Sequence, residues 1–99
     1  MSNFVLSPDA DEDVFQIWAY LFRRAGLEIA NRIESELYDK FEALAKMPSQ
    51  GHRRPDLTQA PVLFFALYQY LIVYRAKTPL EIVRVIHGRR NVERILKTT

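Results

Sequence analysis

From Ser7 to Met47 the apolar residues recur with the period of a helix. Val14, Ile17, Trp18, Leu21 and Phe22 fall at i, i+3, i+4, i+7 and i+8, and beyond Gly26 the residues Ala30, Ile33, Leu37, Phe41 and Leu44 keep the rhythm. Such spacing lays one apolar stripe along a helix. Ser7 followed by Pro8 is a start signal, because the hydroxyl can cap free amides and a proline at the first helical position forfeits no bond. Asp9, Asp11, Glu12 and Asp13 come next, where the helix dipole favours negative charge, and Arg23, Arg24 and Gly26 mark the stop. A second helix runs from about Leu27 to Met47 and ends at Pro48. So short a link predicts an antiparallel helix hairpin. Trp18 and Phe41, aromatic and at helical spacing, read as core.

The pattern then changes. "PSQGHRRPDLTQAP" (48–61) is rich in proline and polar residues and reads as a loop. Apolar, β-branched and aromatic residues dominate 62–67, 70–76 and 81–87, which read as strands, and "NFVLS" (3–7) reads as another. Tyr68-Gln69 and residues 77–80 are short enough to be hairpin connections, although Tyr-Gln is poor turn chemistry. "RNVERILK" (90–97) reads as a short basic helix with Val92, Ile95 and Leu96 on one side. The order β-α-α-β-β-β predicts one α+β domain over 1–99, a helix hairpin packed on a small, mainly antiparallel sheet.

That fold leaves an imbalance. Large apolar residues occupy both parities of the last two strands: Leu71 and Val73 against Ile72 and Tyr74, Val83 and Val85 against Ile82 and Ile86. Alternate residues face opposite sides of a sheet, so both faces want cover while the hairpin supplies one. The second face must be met by the C-terminal segment, a second copy or another chain. An isolated chain is therefore expected to be poorly soluble or oligomeric.

Composition narrows the function classes. There is no cysteine, which excludes disulfides, thiolate metal sites and cysteine nucleophiles. The start "MSNFVLSPDADED" lacks the basic and apolar regions of a secretory signal. The longest apolar run, residues 62–74, is broken by Gln69 and too short to span a bilayer. A cytoplasmic protein with no membrane partner is the expectation. The net charge of +2 conceals an asymmetry: residues 1–50 hold nine acids against five Lys/Arg, and residues 51–99 hold nine Lys/Arg against three acids. A basic second half suits an acidic partner, or is simply a solvated face.

With three glycines, a phosphate-cradling loop is not in view, and His52 and His87 lack partners at metal-ligand spacing. What remains is basic and aromatic, concentrated in Tyr70, Tyr74 and the run "EIVRVIHGRRNVERILK". RNA cleavage without a metal needs an acid, a base and cations for the phosphate. His87 could serve as acid or base, with Arg75, Arg84 or Arg89 clamping phosphate. Against this stands a plainer reading, in which Arg75 and Arg84 pair with helix acids and His87 merely ends a strand.

Read together, "FVLSPDADEDVFQIWAYL", "EALAKMPSQGHRRPDL" and "YLIVYRAKTPLEIVRVIHGRRNVERIL" resemble the ParE branch of the RelE/ParE toxins of bacterial type II toxin–antitoxin systems, over about residues 3–97. The resemblance implies a β-α-α-β-β-β fold whose open sheet face and helical edge are wrapped by the acidic C-terminal segment of a ParD-like antitoxin in a hetero-oligomer. Trp18, Phe22, Leu71, Val73, Arg75, Val83 and Val85 would be its contacts. ParE-type relatives inhibit DNA gyrase and block replication; RelE-type relatives cleave messenger RNA on the ribosome. Here Leu71 and Ile72 stand where the nuclease branch places an in-strand arginine, and the residue after His87 is glycine rather than tyrosine. The long hairpin is also more like ParE. Gyrase inhibition without catalytic residues is therefore expected, with Arg84, His87, Arg89, Arg90 and Arg94 as target contacts chosen by charge and position. The alternatives are a ribosome-dependent endoribonuclease using His87, Arg75 and Arg89, and a non-toxic co-repressor module. Neither a cofactor nor a metal is called for, nor sequence-specific DNA binding by this chain alone. The Tyr68-Gln69 link departs from the glycine usual in relatives.

Overall fold

The computed structural model describes residues 3–97, so the outermost positions of the expected 1–99 domain lie outside the described residues. Strand β1 (Phe4–Leu6) leads into helices α1 (Pro8–Ala25) and α2 (Leu27–Lys46), then a 3-10 turn at Pro48–Gln50. Strands β2 (Leu63–Leu67), β3 (Tyr70–Arg75) and β4 (Leu80–His87) and the short helix α3 (Val92–Lys97) complete the chain. The sheet order is β1-β4-β3-β2, with β1 parallel to β4 and the last three strands an antiparallel meander. No helix among the described residues is long and apolar enough to cross a membrane.

The helix ends fall where the sequence puts them. Ser7 Oγ accepts the Ala10 amide at 3.0 Å and donates to the Val83 carbonyl at 2.8 Å, so the cap of α1 also ties it to β4. Gly26, at φ +94°, donates to the Phe22 carbonyl and accepts from the Ala30 amide, closing one helix and opening the next in a single residue. Only glycine adopts that φ without strain.

The main core lies between hairpin and sheet: Ala10 and Val14 of α1, Leu37, Phe41 and Leu44 of α2, and Tyr70, Ile72, Tyr74, Leu80, Ile82 and Val85 of the strands. A bulge breaks the alternation of β4. Val73 pairs with Arg84 but Tyr74 pairs with Ile82, leaving Val83 as the extra residue. Ile82 and Val85 thus both reach the helix side, while Val83 and Ile86 face the other way.

That other face is covered by the chain itself. Val62, Phe64, Val73, Val83, Ile86 and Val92 form a second buried cluster, flanked by Leu57, Ala60, Leu71, Ile95 and Leu96. Of the three covers anticipated from the pattern, the C-terminal segment is the one present, helped by the loop around Leu57–Val62. The open face implied by the resemblance is accordingly narrower than expected. Val73 and Val83 on this face are only 0% and 6% exposed, and Val85, buried instead under the helix hairpin, is 3% exposed, so no partner reaches them while this packing stays in place.

Two tyrosines organise the loops. Tyr74 Oη donates to the Pro48 carbonyl at 2.6 Å and accepts the Gly51 amide at 2.9 Å, clamping the end of α2 to the sheet. A Cβ on Gly51 would collide with that hydroxyl. Tyr68 takes the β2–β3 turn at φ +55°, a conformation that costs a non-glycine residue about 1–2 kcal/mol. Its hydroxyl hydrogen-bonds Glu36 of α2, which gives this unusual turn residue an anchor.

Candidate interaction surface at the open end of the sheet

Tyr70 begins β3, His87 ends β4, and the two are register partners. Their rings meet edge-on, with centroids 5.7 Å apart and planes at 87°. Beside them the end of the sheet opens into a cleft of about 800 Å³. Gln16, Ile17 and Tyr20 of α1 form one wall, and Gln69, Arg89 and Arg90 complete the lining. Helical periodicity places Gln16 and Tyr20 one turn apart, on the same side as Ile17.

The segment after β4 is held by short bonds rather than by packing. Gly88 N–H donates to the Gln69 carbonyl at 2.8 Å, Arg89 N–H to His87 Nδ1 at 3.0 Å, and Arg90 N–H to the His87 carbonyl at 3.0 Å. His87 is therefore a brace for the turn that carries Arg89 and Arg90. Both arginines are exposed, and among the described residues neither has an ion-pair partner. Arg90 also lines a second groove with Asn91, Arg94 and Ile95, so the basic side chains run on from the cleft to α3. Burial pushes the Tyr70 phenol above its ordinary pKa, and nearby Tyr20 adds to the shift. The Tyr70 phenol is thus a neutral donor at physiological pH. An aromatic wall with exposed guanidinium groups at the rim can receive acidic side chains or phosphates.

Two of the expected residues are elsewhere. Arg84 is spent internally: its guanidinium grips Asp13 of α1 through Nε at 2.7 Å and Nη2 at 2.9 Å, and the side chains are 14% and 11% exposed. The same carboxylate accepts the Val85 amide at 2.9 Å. Asp13 thus covers the stretch of β4 that extends past β1, and its hydrogen bonds push the Arg84 pKa still higher. Arg75 sits at the far end of β3, about 17 Å along the strand from Tyr70, and pairs with Glu81 at 3.4 Å. The set His87, Arg75 and Arg89 is therefore not brought together. The pairing anticipated for Arg84 with a helix acid is the one found, whereas Arg75 takes a strand acid instead.

Trp18 is not core. It lies on the outer surface of the hairpin, stacked on Phe22 at 5.3 Å and 2° and on Phe15 at 6.4 Å and 21°. Its indole N–H donates to Asn31 Oδ1 of α2 at 2.8 Å. Of the expected antitoxin contacts, Trp18, Phe22, Leu71 and Arg75 thus retain some accessible surface. Sequence reasoning passed over Gln16, Ile17 and Tyr20 as cleft residues and Phe15 as a surface aromatic. A signal for Phe15 existed: it is displaced from the Val14–Ile17–Leu21 stripe, so α1 carries more apolar residues than one buried face can use.

The family model of the ParE toxin of type II toxin–antitoxin systems (parDE) matches residues 4–92. Toxin ParE1 of Caulobacter vibrioides (strain ATCC 19089 / CIP 103742 / CB 15) is 32% identical over 91 residues, which cover 92% of this chain and 94% of the relative. A solved chain of the chromosomal ParDE TA system from P. aeruginosa shares the fold, with a TM-score of 0.71 at 21% identity over 88% of this chain and 96% of that one. Matched along nearly its full length by the family model and by a relative of the same size, the chain belongs to the ParE toxin family of type II toxin–antitoxin systems.

Proposed function

We propose that this toxin acts by binding DNA gyrase and blocking replication, and that a ParD-like antitoxin neutralises it. Membership of the family implies an antitoxin partner. The gyrase target rests on one observation: Arg89, Arg90 and Arg94 stand exposed beside the aromatic cleft and, among the described residues, without ion-pair partners, while Arg75 and Arg84, two of the three arginines a nuclease could recruit, are engaged elsewhere. Exposed guanidinium groups of this kind steer and dock an acidic surface, and do not need a reacting atom beside them. The binding element is therefore Arg89, Arg90 and Arg94 with His87 as the brace behind them; Arg84 supports the fold instead. Purified toxin should suppress gyrase supercoiling or accumulate cleaved DNA at stoichiometric amounts. Unimpaired supercoiling at large excess would sink the proposal.

The ribonuclease reading keeps one observation in its favour, since His87, Arg89 and Arg90 line the same cleft. It requires codon-positioned cuts on translated messages that disappear with His87→Ala; intact messages reject it. Growth arrest on expression without antitoxin separates both from a non-toxic co-repressor. For the antitoxin, Trp18, Phe22, Leu71 and Arg75 are the proposed contacts, and the toxin's basic second half suits an acidic segment that orders on binding.

A further inference from the structure

The outward side of α1 has features that the cleft does not use. On a helical wheel at about 100° per residue, Ala10, Val14, Ile17 and Leu21 point inward and Trp18 leans on α2 through Asn31. The opposite side is centred on Ala19. To one flank of Ala19 lie Phe15 and Phe22, 56% and 46% exposed. To the other lie Glu12 and Arg23, one near each end of the helix. Both are exposed, and neither has an ion-pair partner among the described residues; the bond to Glu12 comes from Gln16. Arg24, by contrast, is already engaged over the ring of Tyr20.

We propose that a second copy of this chain docks on this face, with the two α1 helices antiparallel about a two-fold axis close to Ala19. The argument is one of symmetry. A two-fold between antiparallel helices brings each flank against the same flank of the partner, with the ends exchanged. Phe15 of one copy then meets Phe22 of the other, twice over. Glu12 likewise falls within about one helical turn of the partner's Arg23 position, which an arginine side chain spans. The small Ala19 at the centre lets the helices approach closely. The face is thus complementary to itself, whereas a parallel two-fold arrangement would set the charged flank of Glu12 and Arg23 against the partner's phenylalanine flank. This also gives a physical location to the self-association expected of the isolated chain, now that the outer sheet face is known to be covered from within. It shares Phe22 with the proposed antitoxin surface but does not depend on the gyrase or antitoxin reading, because it is measured on the toxin alone.

The test is sedimentation equilibrium of the full-length toxin, with thermal melts to show that each variant folds. The native chain should dimerise in the micromolar range. Phe15→Ala with Phe22→Ala should weaken the dimer at least tenfold, and Glu12→Arg alone should weaken it by a similar factor by facing arginine with arginine. Glu12→Arg combined with Arg23→Glu should restore the native dissociation constant to within about threefold, since the swapped pair is again complementary. A native chain that stays monomeric at high micromolar concentration overturns the proposal. So does a dimer indifferent to the Phe15 and Phe22 substitutions, or a charge swap that fails to restore pairing.

Discussion

The ladder formed by β3 and β4 has a closed end and an open end, and the same residue types do different work at each. At the closed end Tyr74 is wholly buried, with its hydroxyl bonded on both sides to Pro48 and Gly51. Partway along β4, Arg84 is locked by Asp13. At the open end Tyr70 is nearly as buried, yet it lines a cleft and meets the ring of His87 edge-on, while among the described residues Arg89 and Arg90 have no ion-pair partner. Charge and aromaticity alone therefore do not mark a functional residue here. What separates Arg84 from Arg89 is whether the fold supplies a carboxylate of its own.

The largest break of this contrast should come from Asp13→Ala. It removes the carboxylate gripped by a largely buried guanidinium and by the Val85 amide, and should cost about 3–5 kcal/mol in urea unfolding. A loss below about 1 kcal/mol would mean the pair behaves like a solvated surface bridge. Next, Arg89→Glu with Arg90→Glu should leave stability within about 0.5 kcal/mol, yet raise the toxin concentration needed for half-maximal gyrase inhibition by about tenfold or more. Equal damage to stability would erase the distinction between the two ends. Tyr74→Phe should cost about 1–2 kcal/mol, while Tyr70→Phe should be near neutral in the same assay.

The smallest effect is with pH. Burial raises the phenol pKa of both Tyr70 and Tyr74 above the ordinary 10.0. Their folded forms thus hold the proton longer than the unfolded chain does. That stabilisation is fully present below pH 10 and is lost as pH rises through the folded values. Stability attributable to these groups should be flat below pH 10 and decline above it, with the decline reduced in Tyr74→Phe. A decline unaltered by both phenylalanine substitutions would remove the phenols as its cause.

Much of the fold was legible because local signals agreed with one another. Ser7-Pro8, Gly26 and Pro48 punctuate the chain, and Leu37, Phe41 and Leu44 announce the buried side of α2 in a period only a helix has. The site was legible only in part. The basic run after β4 stands out by composition, but its meaning depends on partners distant in sequence. Arg84 was expected to pair with a helix acid, but which acid was not legible: Asp13 lies 71 residues away, and a helix N-terminus already explains an aspartate at that position. Trp18 was misplaced for a similar reason. Periodicity assigns it to a stripe, but which edge of a broad stripe is buried depends on where α2 lies.

Taken alone, the sequence determined the elements, their order, the helix hairpin and the concentration of positive charge in the second half, since these follow from short-range periodicity, capping and composition. Tertiary structure alone decided the bulge that turns Val83 outward and Val85 inward, the closure of the outer face by α3, and the division of the arginines into Arg84 and Arg75, which are paired within the fold, and Arg89 and Arg90, which are left exposed. The reason is physical: register, cover and ion pairing are relations between residues far apart in the chain, and they acquire an energy only once packing has brought those residues together.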